Sequence, residues 1–173
     1  MQTNPSVHQT LEEMDFERGL WYGAVMGDAG SVSSMLKKGH RVDETDASGY
    51  TALHYAAKNG FIDIVKILLD AGASVGARTK AGQATPLHRA AGAGKLEVCK
   101  LLIDKRSDVG SLDVDGRTPL HRAVENERDD IVDLLIEIAP HTLQIKDVKG
   151  LTPYDIAKSE NMKNKIENEW KKR

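Results

Sequence analysis

The chain has 173 residues, of which 40% are hydrophobic and 29% are charged, a composition typical of a folded domain. Its 24 Lys and Arg residues against 26 Asp and Glu residues give a net charge of −2, which excludes the basic surface of a general nucleic-acid binder. No apolar stretch approaches the ~20 residues that a membrane span needs, and no signal-peptide-like run is present. With one cysteine, Cys99, we expect a cytoplasmic protein, with the nucleus as an alternative, and neither nucleic acid nor membrane as partner.

One hexapeptide returns four times along the chain. TPLHRA begins at Thr85 and again at Thr118, with the variants TALHYA at Thr51 and TPYDIA at Thr152. The motif therefore returns every 33 or 34 residues. Because a unit of this length cannot bury its own apolar face, neighbouring units must stack into a solenoid.

Each unit is predicted to be a turn, a small helix, a loop and a larger helix. The turn contains Asp and Gly, as in DASGYT from Asp46, and these residues favour tight hairpins. The hexapeptide Thr caps the first helix, and Pro follows at the first helical position of three units. The second helix carries paired apolar residues that make one buried stripe, as in Ile64, Val65, Leu68 and Leu69.

The pattern D-x-x-G-x-T-P-L-H-x-A-A, followed by an apolar helix and Gly-Ala, resembles the ankyrin repeat. The resemblance implies an all-α solenoid of about five helix-turn-helix units joined by β-hairpin-like turns. In this register the repeats are predicted at residues 16–45, 46–78, 79–112, 113–146 and 147–173. The leader, residues 1–15, is expected to be disordered at residues 1–9, and Thr10 and Glu13 have the spacing of a capping box. The leader sequence QTLEEMDFERGLW is similar to that of one vertebrate member of the family.

The first and last repeats depart from the pattern and are predicted to cap the solenoid. Trp21 replaces the repeated His in the first repeat, which also lacks the opening turn. The second helix of the last repeat, near residues 161–172, keeps a thin apolar stripe of Met162, Ile166 and Trp170 among charged residues. Such end units have a neighbour on one side only.

The third and fourth repeats are predicted to have irregular loops. Left-handed glycines are expected to end the second helices of the first two repeats: Gly39 and Gly72. Arg106 occupies the same position in the third repeat and costs ~1 kcal/mol if the left-handed geometry is kept. Ala139 occupies it in the fourth repeat, where Pro140 predicts a rebuilt loop. The turn before Thr85 also contains one extra residue, Gln83 or Ala84.

Three residue sets resemble catalytic or ligand sites. The repeated histidines, His54, His88 and His121, come one per repeat and so lie side by side rather than converging on a metal. In ankyrin-like repeats this His bonds backbone and the neighbouring turn. The sequence GAGK at residues 92–95 lacks the first Gly and the final Ser or Thr of a phosphate loop, and Cys99 lies on an apolar stripe. We therefore expect no catalytic residue, no metal and no cofactor.

The resemblance places the residue after the repeated His on the concave groove: Tyr55, Arg89 and Arg122. Two guanidiniums on adjacent repeats could grip a carboxylate or phosphate, with Tyr55 as a rigid anchor, although Glu125 can neutralise Arg122 and solvated arginines are an equal alternative. The other expected groove contacts are Lys58, Asn59, Glu125 and Asn126, and the expected hairpin-tip contacts are Ser48, Tyr50, Arg78, Asp115, Arg117 and Lys149. In the third repeat the equivalent positions are Gly92 and Ala93, which have almost no side chain for contact with a partner.

These observations predict a monomeric, non-catalytic module that binds a protein segment along the groove and hairpin tips, with an acidic or phosphorylated segment as the sharper hypothesis. One alternative is a small-molecule or phosphate binder that uses residues 92–95 with Arg89. The other is an assembly factor that docks through the convex face or the basic WKKR tail.

Overall fold

A computed structural model of the protein describes residues 11–171, with side chains from Gly19 onward, as ten α-helices and one 3-10 helix. The helices are α1 (Leu11–Met26), α2 (Ala29–Lys37), α3 (Ala52–Asn59), α4 (Ile62–Asp70), α5 (Pro86–Ala93), α6 (Leu96–Asp104), α7 (Pro119–Glu125), α8 (Asp129–Ile138), α9 (Pro153–Ile156) and α10 (Glu160–Lys171), with the 3-10 helix at Pro140–Gln144. The predicted all-α solenoid is confirmed. The disorder expected at residues 1–9 and the capping box of Thr10 and Glu13 lie outside the described residues and side chains.

The helices form an inner and an outer layer. The inner helices α1, α3, α5, α7 and α9 pack side by side in chain order, and each outer helix packs against the inner helix of its own repeat. The inner layer buries small residues completely, including Ala56, Ala57, Ala90, Ala91 and Ala123. The outer helices bury the predicted apolar stripes, including Val65, Leu68, Cys99, Leu102, Val132 and Leu135. The core is therefore continuous along the stack, although the exact repeat boundaries stay a prediction.

A kink at Gly19 divides α1. The backbone of Gly19 has φ of 68°, and a Cβ atom at this position would lie 2.7 Å from Nε1 of Trp21. Only glycine fits this combination of left-handed backbone and close approach. Beyond the kink, Leu20 and Ala24 are fully buried at the positions that the first repeat predicts.

Each inner helix from α3 onward begins at the predicted Thr cap. Thr51, Thr85, Thr118 and Thr152 have extended backbones, and each hydroxyl oxygen accepts from the amide three residues later. Proline occupies the first helical position in α5, α7 and α9. The side chain three residues after each Thr completes a reciprocal capping box, using His in α3, α5 and α7 and Asp155 in α9.

The repeated histidines tie the second, third and fourth repeats each to the following one, as expected. The amide of Thr51 donates to Nδ1 of His54 at 3.2 Å, so the ring proton is on Nε2, which donates to the carbonyl oxygen of Ala84 at 3.0 Å. His88 and His121 make the equivalent bonds to the carbonyl oxygens of Arg117 and Leu151. Burial lowers the pKa of all three imidazoles, that of His54 to about 4. The stack therefore requires neutral histidines.

We expect mild acid to loosen the stack. Because the pKa of His54 falls from 6.5 to about 4 on folding, its contribution to stability is complete above the unfolded pKa and is lost as pH falls toward the folded one. Between pH 7 and pH 5 the free energy of unfolding should drop by about 2 kcal/mol through His54 alone. Urea denaturation across this range measures the slope. A His54→Gln variant should be less stable at neutral pH, but its free energy of unfolding should change less between pH 7 and pH 5. An unchanged pH dependence in this variant would contradict the role of His54.

The irregular loops follow the sequence expectations. Arg106 keeps the left-handed conformation with φ of 64°, and Gln83 takes the extra turn position with φ of 49°. Ala139 instead has φ of −138°, and its chain continues into the 3-10 helix. The fourth loop is thus rebuilt, whereas the third keeps the glycine geometry without glycine.

Replacing Arg106 by glycine should relieve backbone strain. We expect Arg106→Gly to be neutral or to raise the free energy of unfolding by up to about 1 kcal/mol, because the gain in the folded state is partly offset by the larger entropy of the unfolded chain. The matched control is Lys105→Gly, where φ is −84° and glycine should destabilise by about 0.5–1 kcal/mol. Equal destabilisation by both variants in chemical denaturation would rule out the strain.

The last repeat corrects one expectation. Met162 and Ile166 of α10 are buried as predicted, but Trp170 is 47% exposed and does not continue the stripe. Lys165 attaches the helix to α8 through Asp133 at 2.7 Å.

Across residues 11–171 no helix is long and apolar enough to cross a membrane.

Candidate protein-binding groove

The concave face opens into a cleft of about 340 Å³ between the third and fourth repeats. Gly92 and Ala93, the last residues of α5, line it, and Gly92 occupies the position that carries Lys58 in α3 and Glu125 in α7. We call this space the Gly92 cleft. A Cβ atom at Gly92 would lie 3.6 Å from Cβ of Arg122, which is ordinary van der Waals contact. The cleft exists because the third repeat has almost no side chain where its neighbours have long ones.

Arg122 is held by carboxylates of its own repeat. Its Nε donates to Asp113 at 2.8 Å, its Nη2 to Asp115 at 2.7 Å and its Nη1 to Glu125 at 3.2 Å. Burial opposes the charge, but these hydrogen bonds outweigh it and raise the pKa of Arg122. The expected pairing of Arg122 with Arg89 around an external anion stays a prediction, and the three internal carboxylates that already surround this guanidinium disfavour it.

Arg117 is a bridge between repeats rather than a free hairpin-tip contact. It pairs through Nη1 with Glu125 at 2.7 Å and through Nε with Asp147 of the next repeat at 3.1 Å. The Asp147 side chain is 1% exposed and also accepts from the amides of Lys149 and Leu151. Burial opposes ionisation here too, yet the bonds raise the pKa of Arg117 and lower that of Asp147.

Together these residues form a charge network: Asp113, Asp115, Arg117, Arg122, Glu125 and Asp147. Four carboxylates face two guanidiniums, so the network keeps a net negative charge of two. Its members come from the hairpins of the fourth and fifth repeats and from α7. The C-terminal part of the groove is consequently acidic, which the repeat register alone did not indicate.

Removing Arg117 should destabilise the protein. Arg117→Met leaves the buried Asp147 carboxylate without its cation, so we expect a loss of about 2–4 kcal/mol in the free energy of unfolding. Arg106→Met makes the same chemical change on an exposed side chain and should cost less than about 0.5 kcal/mol. Urea denaturation of the two variants checks this expectation. Similar losses in both would show that the bridge contributes nothing specific.

Tyr55, Tyr50 and Arg89 form a second cluster further toward the N-terminus. Tyr55 donates its hydroxyl to Asp46 at 2.6 Å, and burial together with this bond raises its pKa to about 12. Its ring centroid lies 5.2 Å from that of Tyr50. The guanidinium carbon of Arg89 lies 4.8 Å from the Tyr50 ring centroid, and its Nη2 donates to the Tyr50 hydroxyl. Arg89 therefore packs on an aromatic pair and not beside Arg122's cluster of acids.

Arg89 also has an unused donor. Its Nε is buried and has no hydrogen-bond acceptor in the described part of the chain. Within residues 19–171 no carboxylate pairs with Arg89 or with Lys58, whose side chain is exposed on the same cleft. Lys58 and Arg89 are therefore both available to a segment bound at the cleft.

The remaining helix-end residues make modest contacts. Asn59 donates to the carbonyl oxygen of Val25 at 3.4 Å, and Asn126 donates to that of Arg122 at 2.8 Å. Both bonds connect the helix ends to neighbouring backbone. Their expected role in binding stays a prediction.

The hairpin tips divide into structural and exposed side chains. Arg78 is exposed and donates to the carbonyl oxygens of Gln83 and Leu112 at 3.1 and 2.6 Å, so it connects two turns, and its expected role in binding stays a prediction. The side chains of Ser48 and Lys149 are exposed at their tips.

The tips carry two exposed apolar residues as well: Val114 at 56% and Val148 at 70%. Val114 lines the Gly92 cleft.

The other candidate sites have structural explanations. GAGK forms the end of α5 and the two-residue turn before α6, with Gly94 in the left-handed conformation that ends the helix. Burial raises the pKa of Cys99 to about 12. Among the described residues no group of three or more His, Cys, Asp or Glu side chains is arranged to hold a metal.

Models of ankyrin repeats match the central part of this chain. A model of three ankyrin repeats matches residues 77–147, and a single ankyrin repeat matches residues 48–80. The two matches together cover residues 48–147, more than half of the sequence.

Individual proteins are similar over shorter or longer stretches. Ankyrin repeat domain-containing protein 39 of Homo sapiens is 49% identical over 73 residues, 42% of this chain and 40% of that protein. Its Bos taurus counterpart is 54% identical over 56 residues, 32% of this chain and 31% of that protein. The matched stretches thus span less than half of either relative. Rabankyrin-5 of Mus musculus is 31% identical over 115 residues, 66% of this chain but 7% of that protein.

Proposed function

Because the chain belongs to the ankyrin repeat family, whose repeats mediate protein–protein interaction, we propose that it is a non-catalytic module that holds a partner segment in its concave groove. The observation that carries this proposal is the Gly92 cleft. The central position of the groove has no side chain in the third repeat, whereas Lys58 and Glu125 occupy it in the neighbouring repeats. The groove can therefore accommodate a side chain of the partner at this point.

The size and lining of the cleft suit a bulky side chain. Its volume of about 340 Å³ is at the small end of the ~300–1,000 Å³ range of ligand sites. Gly92, Ala93 and the exposed Val114 supply apolar surface, while charged residues stand around it. An apolar centre with a polar rim is the usual anatomy of a protein interface.

The groove is also preorganised. The inner helices that form it are joined by histidine bridges and buried alanines, so little of the backbone needs to be ordered on binding. Binding therefore costs less conformational entropy of the protein than binding to a flexible site would, which favours affinity. We further propose that the module is monomeric and acts in the cytoplasm or nucleus, which is consistent with its single, buried cysteine.

Filling the cleft should abolish binding without unfolding the protein. Gly92 is helical and lines the cleft, and a Cβ atom added to it would make only ordinary contacts, at 3.6 Å with Cβ of Arg122 and with Nδ2 of Asn126, so we expect a Phe ring there to occupy the cleft. Gly92→Phe should therefore keep or slightly raise the melting temperature, since glycine is a poor helix former by up to about 1 kcal/mol. Captured cell-lysate proteins, quantified by mass spectrometry, should be lost from this variant.

The matched control adds the same side chain to the convex face. Lys66→Phe changes an exposed position of α4 and should retain the partners of the wild-type chain. Retention by Gly92→Phe together with loss by Lys66→Phe would place binding on the outer helices and contradict the proposal.

A further inference from the structure

We infer that the partner segment is charge-polarised around a central apolar side chain. An acidic residue lies over Lys58 and Arg89, a bulky apolar side chain fills the Gly92 cleft, and a basic residue lies over Asp115 and Glu125. The inference rests on the proposed function and adds the chemistry of the segment that the groove recognises.

The acidic residue is indicated by the two available cations. Lys58 and Arg89 line the same cleft, and neither has a carboxylate partner among the described residues. The buried Nε–H of Arg89 lacks an acceptor, an arrangement that destabilises the free protein. A partner carboxylate that draws the guanidinium away from Tyr50 can accept from Nε and from one Nη together, in the bidentate geometry that arginine favours.

The basic residue is indicated by the charge network. Its four carboxylates exceed its two guanidiniums, and Asp115, with a side chain 52% exposed, lies with Glu125 on the far wall of the cleft. An added Lys or Arg compensates the remaining negative charge. The same wall repels a phosphate dianion more strongly than a single carboxylate, so the geometry favours Asp or Glu over a phosphorylated residue.

The spacing of the two charges follows from the stack. Lys58 and Glu125 occupy equivalent positions two repeats apart, and packed helices lie roughly 8–10 Å from their neighbours. The walls are therefore roughly 16–20 Å apart, a distance that about five or six residues of extended chain cover at ~3.3 Å each. The predicted segment has its acidic and basic residues about five or six positions apart, with the apolar anchor between them.

Selection from a random peptide library displayed on phage tests the inference on the full chain. Peptides selected on the wild type should carry an acid and a base about five or six positions apart. Lys58→Glu should remove the preference for the acid and keep that for the base, whereas Asp115→Lys should do the reverse. Lys66→Glu, the same charge change on the convex face, should leave the consensus unchanged. Both cleft positions are exposed, and thermal melting confirms folding.

A double-mutant cycle makes the test quantitative. Replacing the acid of one selected peptide by Gln should weaken its binding to the wild type about tenfold but hardly affect its binding to Lys58→Glu. Replacing the acid by phosphoserine should also weaken binding to the wild type; tighter binding would overturn the choice of a carboxylate.

The failures of the two proposals are distinguishable. If selected peptides are lost from Gly92→Phe but their charges do not respond to Lys58→Glu and Asp115→Lys, the groove binds segments and the inferred polarity is wrong. If the peptides bind Gly92→Phe as well as the wild type, the groove itself is not the site and both proposals fail.

Discussion

The neutral imidazole between consecutive repeats is the interaction on which the stack depends. Each of His54, His88 and His121 accepts from its own Thr amide on one side and donates to a carbonyl oxygen of the next repeat on the other. Trp21 stands at the position of the repeated His in the first repeat, and Asp155, whose carboxylate accepts from the amide and hydroxyl of Thr152, stands there in the last.

The rigid inner layer allows residues that shape the groove to vary independently of the residues that hold the fold. Positions that cap, bridge or pack are nearly constant from repeat to repeat, whereas the helix-end position changes from Lys58 to Gly92 to Glu125. Since the backbone at these positions is fixed by buried bonds, a change of side chain changes the groove surface and little else. The cleft and the acidic wall are therefore local features of sequence on a shared framework, and they give this chain a surface of its own.

The fold was largely predictable because periodic apolar residues, caps and turns act over short stretches of chain. Even the left-handed Arg106 and the rebuilt loop after Ala139 followed from comparing repeats. The site was less predictable, since the register places Arg122 on the groove but does not say which carboxylates reach it. Asp113 appears in the sequence as a turn residue, yet it also binds Arg122. Likewise Arg78 could be placed at a tip, but only the folded chain shows its guanidinium on two carbonyl oxygens.

The proposed partner segment lies in the concave groove across the third and fourth repeats. Amide hydrogen exchange, measured with and without the protein partner that the chain captures, tests this placement most directly because it reports every surface at once. We expect slower exchange in the bound state at residues 92–95, 113–117 and 125–128, with α4, α6 and α8 unchanged. Slower exchange confined to the outer helices α4, α6 and α8 would contradict this placement.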